Sequence, residues 1–220
     1  MELEKLKTIW DGYDEKLDET LEINRELLTA LKLEKVKSKL RKFVLLRIVE
    51  LVFTVWAVSF LWDFAADHIS LIQFVLPAAV LMIFFILGIA GIVRQFVAIG
   101  MIDYSEPVIE IQKKLVLLES HVLMVIRVAL LSLPFYMAYI IIGAEYFFGT
   151  DIVTSADSGW LTAQLIFSLL LIPAALWLYF KLSYKNIEKP YLRKFLDYSA
   201  GSQLGNSLKL MKEIDEFEKK

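Results

Sequence analysis

The chain is 220 residues long, 57% hydrophobic and 13% aromatic, with 24 basic and 26 acidic residues, two histidines and no cysteine. That apolar share exceeds the roughly 45 to 50% of soluble domains, and a formal net charge of -2 excludes a simple cationic nucleic-acid binder. The absence of cysteine excludes disulfides, thiolate metal sites and cysteine nucleophiles, and two histidines are too few for a His-rich metal site.

The first 42 residues read as an amphipathic helix. Leu3, Leu6, Trp10, Tyr13 and Leu17 recur at three and four residues, and Leu21, Asn24, Leu28 and Leu31 continue the stripe. A glycine inside a helix costs about 1 kcal/mol, so Asp11-Gly12 is expected to separate a short leading turn from a longer helix starting near Tyr13. An acidic run, Asp11 to Glu22, precedes a basic one, Lys32 to Lys42. The basic run abuts the first apolar stretch and is expected to meet anionic lipid headgroups, each cation being worth about 1 kcal/mol near the surface. With neither a cleavable signal pattern nor a lipidation motif, the first span is expected to be an uncleaved signal-anchor.

Four apolar stretches follow: Phe43 to Trp62, Ile69 to Val93, Val122 to Ile142 and Trp160 to Phe180. Each is about 20 residues or more, enough to cross about 30 Å of hydrocarbon. Ten basic residues precede Phe43, three lie between Arg94 and His121, and nine follow Phe180. The loops Asp63 to His68 and Gly143 to Gly159 hold none; they carry Asp63, Asp67, Glu145, Asp151 and Asp157. By the positive-inside rule both termini are expected in the cytoplasm.

Between the second and third spans, at about 94–121, the pattern predicts a cytoplasmic stalk. Asp103-Tyr104-Ser105 supplies capping residues and Pro107 falls in the first turn of a new helix. The stripe Val108, Ile111, Leu115, Leu118, Val122 enters the third span without a breaker. A helix from Glu106 to about Ile142 would rise about 55 Å and project roughly 20 Å beyond the bilayer. After the fourth span, 181–220 reads as a basic segment with Pro190, then a short helix through Leu208, Met211, Ile214 and Phe217. The expected architecture is all-α: a four-span helical bundle over 43–180 with cytoplasmic helical extensions gathered beside it.

Arg47 and Glu50 share one face of the first span, and Arg127 lies at similar depth in the third. Intramembrane charges are costly and face protein or water. One reading is a polar site or ion path at Glu50; the other, favoured because three residues at one shallow level do not cross a membrane, is an interhelical Glu50–Arg127 pair with Arg47 reaching the headgroups. Pro77, Pro134 and Pro173 are expected to shape helix packing, and Gly88, Ala90 and Gly91 to permit close helix approach. Asp63, Asp67 and His68 are spaced too loosely to specify a cation site. The tryptophans Trp56, Trp62, Trp160 and Trp177 suit an aromatic belt. No nucleotide loop, dinucleotide fingerprint, zinc motif or nucleophile elbow occurs, so neither catalysis nor a cofactor is expected.

The strings from Ile9 to Leu17, from Asp103 to Leu115 and from Lys209 to Glu218 resemble those of an uncharacterised family of four-span membrane proteins of Bacteroidota, often encoded beside sigma factors. The resemblance implies a cytoplasmic-membrane protein with a regulatory or partner-binding task, and carries over no catalytic residue. The leading expectation is a scaffold or regulatory protein of the bacterial inner membrane. Its cytoplasmic helices would bind a protein partner, not nucleic acid, or form a homo-oligomeric coiled coil, through Trp10, Tyr13 and Leu17 and through Val108, Ile111, Leu115 and Leu118. The alternative is a small channel or transporter with its polar site at Arg47, Glu50 and Arg127.

Overall fold

A computed structural model describes residues 2–182, 207, 209 and 210. These residues form helices and turns, with no strand among them. The first helix, α1 (Glu2–Asp67), runs unbroken for 66 residues, about 100 Å at 1.5 Å per residue. Asp11-Gly12 therefore does not divide it. A single glycine costs about 1 kcal/mol, too little to stop propagation between flanking runs of Leu, Glu and Lys. After a turn closed by Leu71 N–H to the His68 carbonyl (2.9 Å), α2 (Ile72–Gly100) returns alongside α1, with Pro77 held inside it.

The turn from 101 to 107 leads into α3 (Val108–Leu131), where Pro107 is the N-cap rather than a first-turn residue. The long helix expected to reach Ile142 is split. Ser132 caps α3, Leu133–Phe135 form one 3-10 turn around Pro134, and α4 (Tyr136–Phe148) resumes the same path. Pro134 has no N–H to give and its ring collides with the carbonyl four residues back, whereas the 3-10 turn uses the shorter Phe135 N–H to Ser132 carbonyl bond, 2.9 Å. Gly149 then ends α4 at φ 59°, the left-handed conformation that glycine adopts without a Cβ penalty.

The loop between α4 and the last long helix contains a single turn, α5 (Ile152–Ser155), before α6 (Ser158–Lys181). Two of its aspartates are N-caps. Asp151 accepts from the Val153 and Thr154 amides, and Asp157 from the Gly159 and Trp160 amides. Four helical stretches are long and apolar enough to cross a membrane: 19–67, 72–100, 108–148 counted across the proline turn, and 158–181.

Helix α2 is central, packing on α1, α3 and α4, while α6 leans on α3 and the 3-10 turn. The core has two main centres. One, at the α2–α3 junction, joins Val36, Leu40 and Phe43 of α1 to Ala98, Ile102, Val108, Ile111, Leu115, Leu118 and Val122, with Leu210 packed on its edge. The other, at the α1–α2 turn, joins Leu61, Phe64, Phe74, Ala78, Leu81, Ala138 and Ile142. The expected C-terminal stripe residues Leu208, Met211, Ile214 and Phe217, and the basic segment before them from residue 183, lie outside the described residues.

Candidate functional site

The two apolar stripes singled out from the sequence meet opposite fates. Val108 is 6% exposed, and Ile111, Leu115 and Leu118 are wholly buried, all against Val36, Leu40, Phe43 and the end of α2. That stripe is closed within the chain and offers no surface. An aspartate at Leu115 or Leu118 would open the core instead of probing a partner site. By contrast Trp10, Tyr13 and Leu17 are 66%, 70% and 58% exposed. Leu21, Leu27, Leu28 and Leu31 extend this uncovered face. The first buried residue among the described side chains of α1 is Val36, with half-buried Leu33 packed on the same core, so the apolar side chains from Trp10 to Leu31 lie outside the core centres.

The three charged residues within the apolar stretches do not converge. Arg47, largely buried, donates to the carboxylate of Glu50 one turn along the same helix and lies over the Phe43 ring. Arg127 instead donates through Nε to the Leu182 carbonyl at 2.8 Å, with its guanidinium 5.2 Å from the Tyr179 ring centroid. The expected Glu50–Arg127 pair is thus replaced by a local pair on α1 and a cation capping the end of α6. The last carbonyls of a helix have no partner within it and carry the negative end of its dipole, which is where a guanidinium is held best. The second ties α3 to the end of α6, while the first stays within α1. Two cavities, ≈ 560 Å³ beside Pro77 and Pro134 and ≈ 330 Å³ between Phe53, Phe85 and Tyr139, have predominantly apolar linings that include none of the three charges.

A feature the sequence reading passed over lies between α2 and α3. Gln95 is completely buried, and neither its amide nitrogen nor its oxygen has a hydrogen-bond partner; His121 Nδ1 is buried and unpartnered too. Contact between Gly91 and Val125 sets an antiparallel register that places Gln95 and His121 at one level. Only the helix pairing makes this visible, because one glutamine in an apolar run is no signal by itself.

At the other end, His68 donates from Nδ1–H to the Phe64 carbonyl (2.9 Å), stacks on the Phe64 ring and places Nε2 3.6 Å from Glu145. Asp63, Asp67 and Glu145 share a cavity of ≈ 340 Å³ with these aromatics. Among the described residues no group of three or more His, Asp or Glu side chains is arranged to hold a metal ion. Asp151 also accepts from Gln73 Nε2 at 3.2 Å, tying the α5 loop to the start of α2.

No family model, curated protein or solved structure matches the chain.

Proposed function

We propose that the chain is a non-enzymatic integral membrane scaffold or regulatory protein, set in a bacterial cytoplasmic membrane with both termini inside. Its N-terminal helix binds a protein partner or another copy of itself. The observation that carries this reading is the uncovered apolar face from Trp10 to Leu31, on a helix that continues without a break into a membrane-length segment. An apolar face of that extent outside the core centres is stable in water only when something covers it. The orientation is supported by the lysine and arginine distribution, and Lys32 to Lys42 stands where the helix would meet anionic headgroups.

Deleting residues 2–31 from the tagged chain tests this reading. The shortened protein is expected to insert and fold, because its core centres begin at Val36, and to lose every stoichiometric partner or second copy in gentle detergent. Recovery of the same complex with and without these residues would sink it.

A further inference from the structure

The exposed face of α1 has a heptad register. With Trp10 at an a position, Leu17, Asn24 and Leu31 occupy the following a positions, and Tyr13, Thr20 and Leu27 the d positions; all seven are exposed. Thr20 returns its hydroxyl to the Lys16 carbonyl at 2.7 Å, so it offers the seam its methyl group. Three heptads reach the lower bound of length for a coiled coil, with five of the seven seam positions apolar.

Two features of the fold narrow what can cover this seam. Because α1 is one continuous helix, the seam cannot lie flat on a membrane that the same helix crosses. At 100° per residue it also sits roughly 140° around the helix from Val36, Leu40, Phe43 and Arg47, the face that packs on the bundle. It looks instead to the side of Leu46, Val49, Phe53 and Trp56, all exposed. Among the described residues, those that pack on α1 lie on the wrong side to cover it.

We infer that a second copy of this chain covers the seam, as a parallel, in-register coiled coil centred on Asn24. Two copies inserted with one topology present their N-terminal helices side by side, in the same direction and at the same height. Identical residues then meet in every layer. Asn24 is the decisive one: facing an apolar side chain its amide would be desolvated without a partner, whereas facing another Asn24 it donates and accepts, the arrangement by which a single a-position asparagine sets register and direction.

This inference rests on the interaction reading above and names its partner. The chain has no cysteine, so a single introduced thiol reports its own neighbour. Asn24→Cys and Leu17→Cys, on the seam, are compared with Glu22→Cys on the opposite side, in membranes bearing the full chain and oxidised with copper phenanthroline. Disulfide-linked dimer at positions 17 and 24 is expected at ten or more times the yield at 22. Equal yields at all three, or none at 17 and 24, would overturn self-pairing. A photoreactive benzoylphenylalanine at Leu17 separates this failure from failure of the parent reading. An adduct of twice the chain mass supports the second copy; one of another mass overturns it but keeps protein binding; no adduct overturns both.

Discussion

At Gly91 a Cβ would stand 2.3 Å from Val125 Cγ2. That methyl belongs to a β-branched side chain with few rotamers to retreat into, so α2 and α3 approach as closely as they do because position 91 has no side chain. Gly91→Ala is expected to destabilise the fold by about 1–3 kcal/mol, the usual cost of overpacking, and Val125→Ala in the same chain to recover most of it. Gly88→Ala, which meets nothing within 4 Å, is the control and should change the unfolding midpoint in detergent little. A loss at Gly88 equal to that at Gly91 would contradict this account. The small-residue pattern was legible in the sequence; which glycine bears the approach was not, since 88 and 91 differ only in what faces them.

At the scale of elements, the α2–α3 junction depends on a polar turn as well as on the buried stripe beneath it. Asp103 accepts from the Ser105 backbone N–H at 2.9 Å and from its hydroxyl at 2.7 Å. These two bonds, the backbone one first, hold its carboxyl below the ordinary value of 3.8. A carboxyl depressed in the folded state stabilises the turn fully above that ordinary value and loses the contribution as pH falls through the lower folded value. Protection of the Ser105 amide from hydrogen exchange is therefore expected to be constant from pH 7 down to about 4 and to drop below that, after correction for intrinsic exchange. Asp103→Asn should remove the drop, and a drop that persists would assign it elsewhere. The N-caps Asp151 and Asp157 follow rules of local chemistry, whereas Asp103, expected to cap the next helix, closes the turn on Ser105 and leaves Pro107 as an N-cap without a side-chain bond. Whether Pro134 bends a helix or breaks it depends on neighbours that accept a 3-10 turn, and Gly12 passes unmarked because helix propagation outweighs one poor residue.

For the whole molecule, the segregation of basic residues makes an orientation testable without the function being known. In an otherwise cysteine-free chain, a thiol at Thr150 is expected to react with an impermeant maleimide on intact cells exposing the outer face of this membrane. A thiol at Ser38 should react only after the membrane is opened. The reverse pattern would invert the topology. Four membrane-length segments, their order and their charge bias are properties of composition along the chain, so the sequence by itself determined them: hydrocarbon thickness sets the length and no packing detail can change it. The two stripes that looked alike in sequence could be told apart only by tertiary structure. Val108 to Leu118 is covered because α1 and the end of α2 reach it, and Trp10 to Leu31 is left open because that part of α1 precedes the bundle and turns its apolar face away. Likewise the sequence placed Arg47, Glu50 and Arg127 within apolar stretches, but the packing of α3 against the end of α6 decided that Arg127 caps a helix instead of meeting Glu50. Periodicity records which side of a helix is apolar; only the path of the other helices says what covers it.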